Sequence, residues 1–308
     1  MIDTTSSNKR ESTCDRLLSH RQLACCQCYC GIPLHGKEML IYNNMDPLLL
    51  AGHHGDISAM TFGKGSRPVL LCSASADYII VWDVELCAKR TKEGKIASGT
   101  VIGTLLGEVV HLSFCFSDER VAACSGTTAY VLSAKKQEVI STLNGHLGPL
   151  TSAEFCPWNK DIVVTTSEDR TFKTGSSKMI ENINFFGSLA TSLLSVLFLE
   201  EDRQLITGSS DGQVWCFSLS VDYKCPLVTK MDLQKMEKRH QMHQEPVSHQ
   251  AGDVTNKHPC RDNSWFCIGS SDGLYVVDLA TSELVTALYF KGRLLAVWFL
   301  SFSFFLFF

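Results

Sequence analysis

The 308-residue chain is 45% hydrophobic and carries 28 basic against 32 acidic residues, a formal net charge of −4. That is ample apolar material for a packed core, and the near-balance of charge excludes a general electrostatic attraction to nucleic acid or to an anionic membrane. The opening MIDTTSSNKRESTCDR is polar and charged with no apolar h-region, so residues 1–16 read as disordered and no secretory signal is expected. The 14 cysteines are scattered and read as reduced thiols, mostly small buried hydrophobes. This points to cytoplasm or nucleus, not to secretion.

Short apolar or alternating runs separated by turn residues fill most of the chain, the pattern of half-buried strands. Residues 21–28 and 29–34 read as two short strands, followed by a turn at His35-Gly36-Lys37 and the strand Met39-Leu40-Ile41-Tyr42-Asn43. The clearest unit is 52–84, which opens on Gly52-His53, passes through an apolar run ending Ser73-Ala74-Ser75, turns at Asp77 and closes on Ile79-Ile80-Val81-Trp82-Asp83. A third unit over about 101–134 keeps the strand character of VVHLSFCF and RVAACSG, with Leu132-Ser133 where Trp-Asp stood before. The fourth opens on Asn144-Gly145-His146, turns at Asp169, and then has Gly175 where the pattern calls for Trp. The fifth, 193–219, turns at Asp211 and puts Phe217 in the Trp slot. The segment 224–262 is charged and rich in His and Gln, and reads as a solvated insertion. The sixth unit, SWFCIGSSDGLYVVDL, turns at Asp272 and is followed by a further strand over 283–290. The chain ends in LLAVWFLSFSFFLFF (294–308), the bulk of an apolar aromatic tail over 292–308 that is too short as a helix to span a bilayer and whose membrane association is at most weak.

The turn anchors Gly36, Asp77, Gly126, Asp169, Asp211 and Asp272 recur every ~40–50 residues, apart from one gap of ~60 that holds the insertion. With that spacing, the GH opening and the WD close, residues 17–291 resemble the WD-repeat β-propeller family. The resemblance implies an all-β propeller of about six degenerate blades. The segment 174–190 departs from the pattern, and together with the tail it suggests a shortened splice variant whose ring is expected to close imperfectly and to self-associate.

His53, Ser73 or Ser75, Asp77 and Trp82 have the residue types of a Ser-His-Asp hydrolase site, but no nucleophile elbow or oxyanion-hole glycines accompany them. The resemblance implies a structural tetrad instead, with Asp77 paired to His53 and the strand hydroxyl and indole completing it. His146 and Asp169, with Ser167 or Thr165, keep half of that set, and Asp211 and Asp272 are the corresponding turn residues. Cys25, Cys26, Cys28 and Cys30 contain one C-x-x-C pair but no second, and are read as packing rather than zinc ligands. His240-x-x-His243, with His249 and His258, reads as solvated side chains of the insertion. Gly63-Lys64-Gly65-Ser66 lacks phosphate-loop spacing and reads as a turn. Phe-Arg-Arg-Gly, the family's phosphoinositide motif, does not occur, and Val84-Glu85 after Trp82-Asp83 removes the usual sign of a ligase-adaptor propeller. The expectation is a non-enzymatic scaffold for protein or peptide partners, without metal, cofactor or nucleic acid. The alternative is a fragment with no binding function of its own.

Overall fold

The computed structural model describes residues 24–26, 28–34, 36–43, 47–176, 191–219, 225–243, 265–270, 273–279, 281–289 and 298–300. Residues 1–16, Asp272, His35, His249, His258 and residues 177–190 lie outside that set. The first sheet runs β1 (Ala24–Cys25), β2 (Cys30–Pro33), β3 (Glu38–Tyr42), β4 (Leu48–Ala51). The second is β5 (Ile57–Phe62), β6 (Leu70–Ser75), β7 (Tyr78–Asp83) and, after helix α1 (Val84–Lys92), β8 (Thr100–Thr104). The third is β9 (Val109–Phe114), β10 (Arg120–Ser125), β11 (Thr128–Ser133), β12 (Val139–Leu143), and the fourth β13 (Leu150–Phe155), β14 (Ile162–Ser167), β15 (Phe172–Ser176). The fifth is β16 (Leu193–Leu199), β17 (Gln204–Ser209), β18 (Gln213–Ser218), β19 (Leu227–Asp232), with helix α2 (Leu233–His243) following. In the sixth the order is β22 (Glu283–Tyr289), β21 (Gly273–Asp278), β20 (Trp265–Gly269), β23 (Trp298–Leu300). All pairings are antiparallel, as in a WD-repeat propeller.

Successive sheets lie face to face, so a second strand such as β14 is buried along its whole length. Close approach of the faces selects small side chains there, as in Ala122-Ala123-Cys124 of β10. Among the described residues five clusters of buried side chains fill the five interfaces between consecutive sheets, and none of these joins the sixth sheet to the first. Each fully buried Leu, Ile or Phe in them contributes ~1.5–3 kcal/mol. The first strands touch in sequence, β1 on β5, β5 on β9, β9 on β13, β13 on β16 and β16 on β23.

Four elements differ from the sequence reading. Helix α1 follows Asp83 directly, because the Asp83 carboxylate caps it by accepting the Leu86 N–H at 2.9 Å. Within the expected insertion, Leu227–Asp232 is a ladder strand and α2 buries Leu233 and Met236 under a charged exterior. Spacing of Met231, Leu233 and Met236 provides the apolar side that a plain composition count hides. Within the expected tail, Trp298–Leu300 pairs with β20 as the fourth strand of its sheet.

The Gly63-Lys64-Gly65 turn does hold an anion, one from the protein itself. Asp118, in the β9–β10 turn of the next sheet, accepts the N–H of Lys64 at 2.8 Å and of Gly65 at 2.9 Å. A Cβ at Gly63 or Gly65 would lie 2.6 or 2.8 Å from Asp118 Oδ2, so a side chain at either position would push the carboxylate off these N–H groups. Asp118→Ala should therefore lower stability by ~1–2 kcal/mol, for two charge-assisted hydrogen bonds that are partly solvated. Gly63→Ala should cost at least as much. Urea denaturation of both variants checks this, and unchanged midpoints would show the latch to be idle.

Candidate functional site

The turns between the second and third strands carry the anchors Gly36, Asp77, Gly126, Asp169 and Asp211, with their partners on the adjoining loops and strands. In the second sheet His53, 5% exposed, precedes β5 and lies over the ends of β6 and β7. Its Nε2 is 2.7 Å from Ser73 Oγ and its Nδ1 2.8 Å from Ser75 Oγ. The Trp82 indole N–H donates to Ser73 Oγ at 2.9 Å, and the Ser75 hydroxyl donates to Asp77 Oδ1. With the ring neutral the order of the chain is Trp82 N–H to Ser73, Ser73 O–H to His53 Nε2, His53 Nδ1–H to Ser75, Ser75 O–H to Asp77. Ser75, already donating to Asp77, can only accept from the ring, which places a proton on Nδ1, and burial disfavours a second one on Nε2.

The direct His53–Asp77 hydrogen bond expected from the sequence is not formed. The two side chains are 3.7 Å apart, and Ser75 bridges them. The Asp77 carboxylate turns instead to backbone, accepting the N–H of His54 and of Tyr78, each at 2.9 Å, with His54 Nδ1 at 3.1 Å. Asp77 thereby ties its own turn to the loop that enters β5. Burial holds His53 below the usual histidine value. For Asp77 burial pushes upward, but the N–H donors outweigh it and leave the carboxyl lowered.

In the fourth sheet the same positions are wired differently. His146 Nδ1 meets Asp169 Oδ2 directly at 2.9 Å, and Nε2 meets Thr165 Oγ1 at 2.8 Å. Asp169 also accepts the Leu147 N–H at 2.9 Å, the Thr171 N–H at 3.0 Å and the Thr171 hydroxyl at 2.6 Å. Against the upward push of burial, these donors and His146 bring Asp169 down to about 2. Burial lowers His146. Thr165 is the strand hydroxyl of this set. Ser167 donates to the carbonyls of Gly148 and Pro149 and so holds the loop rather than the ring.

The register explains the missing tryptophan. Trp82 stands opposite Leu71, and Gly175 stands opposite Val163 in the corresponding place. In the second sheet the indole lies over Gly52, leaving 2.8 Å to a Cβ there. In the fourth, Leu143 of β12 occupies the space at Gly175, 2.6 Å from a Cβ position, and the Lys173 ammonium donates to the carbonyl of Gly145. Two residues of different strands thus divide the work of one.

The remaining anchors are simpler. Asp211 accepts from the Ser209 hydroxyl at 2.6 Å. Burial raises Asp211, but Ser209, Thr191 of the loop entering β16 and the Gln213 N–H together bring it below its usual value. In the third sheet Gly126 takes φ 56° and Ser125 donates to the Leu106 carbonyl at 2.7 Å, with no carboxylate involved. Sequence reasoning missed His54, Thr171, Thr191 and Ser125; Thr171, two residues beyond the Asp169 anchor, was within reach of a turn argument.

None of this is laid out for catalysis. Ser73 is fully buried, Ser75 is 2% exposed, and each hydroxyl is committed on both sides. Among the described residues no group of three or more His, Cys, Asp or Glu side chains could hold a metal ion, and no helix is long and apolar enough to cross a membrane.

Antiparallel sheets stacked on one another, the second to fifth each with its turn tied to the loop entering its own first strand, define a repeat protein of the propeller type. The family described as WD domain, G-beta repeat matches residues 137–173, from the approach to β12 through Lys173 of β15. The match takes in His146, Thr165 and Asp169 and stops short of Gly175. It supports the WD-repeat family for this chain, in agreement with its all-β architecture.

Ser75→Ala should destabilise the protein by ~1–3 kcal/mol, since it leaves a buried His53 N–H without an acceptor and unhooks Asp77. Conservative Ser75→Thr should recover part of that, as read by urea midpoints. The pH dependence has two parts. The lowered His53 and His146 bind fewer protons folded than unfolded, so stability should fall as pH drops below ~6.5. Asp169, at about 2 when folded against 3.8, keeps its contribution above pH 3.8 and loses it as pH falls towards 2. Thermal melts across pH 8 to 2.5 check both, and His146→Gln should flatten the upper part.

Proposed function

We propose that the chain is a non-enzymatic scaffold that binds a protein partner at the end of the sheets where the pinned loops lie. WD repeats typically mediate protein–protein interactions, which supports this class of function. The observation that carries the particular surface is a set of exposed side chains on the loops entering β5, β9 and β13. Leu147 is 94% exposed and Leu105 87% exposed, while the His54 side chain is 78% exposed beside Tyr78. Those strands are neighbours, so the three loops share one end of the molecule. Their backbones are fixed by Asp77, Ser125 and Asp169. Rigid loops presenting large apolar groups lose little entropy on binding. Exposed Asp56, Glu108 and Glu168 surround the leucines, so the fitting partner is a segment with both apolar and basic residues. A finer resemblance belongs to the same proposal: GHHGDISAM, CSASADYIIVWD and NGHLGPLTSAEFCPW are similar to WD-repeat-containing protein 27.

The test is Leu105→Glu with Leu147→Glu in one chain. Both side chains are solvent-exposed, so the melt should not move beyond ~0.5 kcal/mol. Binding of basic-apolar peptides selected from a display library on the wild-type chain should fall at least ~tenfold. Equal binding by both chains would move the interface elsewhere.

A further inference from the structure

The first hairpin holds four of the chain's cysteines, and only one pair of them is placed to react. The N–H of Cys26 bonds to the Tyr29 carbonyl at 2.9 Å and the N–H of Tyr29 returns to the Cys26 carbonyl at 3.4 Å. Cys26 and Tyr29 are therefore a hydrogen-bonded pair, which makes the next pair outward, Cys25 and Cys30, the non-hydrogen-bonded kind. Such pairs bring Cα atoms to ~4.5 Å, inside the range a disulfide spans. Cys25 donates to Cys30 Sγ at 3.4 Å, on the face of the strand opposite to Cys26, which packs into the first core cluster. Cys25 is exposed and Cys30 half-buried, whereas Cys72, Cys87, Cys115, Cys124, Cys156 and Cys216 are buried.

We propose that Cys25 and Cys30 are a reversible oxidation site, joined into a cross-strand disulfide by a small-molecule disulfide oxidant. The Cys30 thiol gives up its proton, and its sulfur attacks one sulfur of the oxidant RS–SR, breaking that bond and releasing one RSH after protonation. Cys25 then loses its proton and attacks the Cys30 sulfur, breaking the mixed disulfide and releasing the second RSH. The protein loses two protons and two electrons, and the oxidant becomes two thiols. The link fastens β1, two residues long, to β2, and so holds Ala24 in the core beside β5. In a reducing compartment it is transient. Partial burial, the hydrogen bond to Cys30 and the neighbouring thiols push Cys25 up to about 11. Each attack needs a thiolate, so linking speeds up as pH rises through the neutral range.

The test treats the full chain with oxidised glutathione, quenches with acid, alkylates the free thiols and maps the peptides by mass spectrometry. A dithiothreitol-reversible Cys25–Cys30 link, forming at least ~tenfold faster than any change at the buried cysteines, is the expected result. Cys25→Ser should leave glutathione on Cys30 as a lasting adduct. A wild-type link through Cys26 or Cys28, a wild-type adduct that never closes, or no reaction would each overturn the proposal.

Discussion

A sheet of three or four short strands cannot protect its own turns. At the tip between its two central strands, backbone N–H groups point past the end of the ladder with no partner, and burying them unpaired is costly. Asp77 and Asp169 answer this with one carboxylate each, taking N–H groups from the turn and from the loop entering the same sheet's first strand. The loop is thereby fixed in direction before β5 or β13 begins. The placement of those first strands, and with it the stacking of one sheet on the next, rests on that fixed entry. Histidine supports the carboxylate from inside, and burial keeps the ring neutral so that one nitrogen can accept and the other donate.

The opposite end of the molecule uses the same device across two sheets rather than within one. Asp118 reaches from the third sheet into the glycine turn of the second. Such ties complement apolar packing, which is strong but undirected. Small residues in the central strands let the faces close, and the ties decide in what rotation they do so. The structure therefore separates what holds the sheets together from what aligns them.

Much of the fold was legible because both requirements leave marks in the sequence. Period-two runs gave the strands, and Gly52-His53, Asp77 and Trp82 gave a unit boundary from both sides. His146 and Asp169 were found for the same reason. What escaped notice came from elsewhere in the chain. Helix α1 starts at Val84, after a residue already accounted for as part of the repeat, and only its capping role shows that Asp83 serves two elements. Strand β19 and helix α2 were hidden in a polar stretch, where Met231, Leu233 and Met236 are too few to register as a run. The bridging role of Ser75 was invisible for another cause. Both serines were candidates, and only distances show that one meets the indole while the other meets the carboxylate.

Leu143 belongs to the outer strand of one sheet and fills a gap at Gly175 in the next. The two positions are consequently one packing unit, although a repeat-by-repeat description places them in different repeats. Restoring an indole at 175 would first require the leucine to withdraw, and shortening the leucine alone would leave a void with nothing at 175 to enter it. Each change is unfavourable without the other.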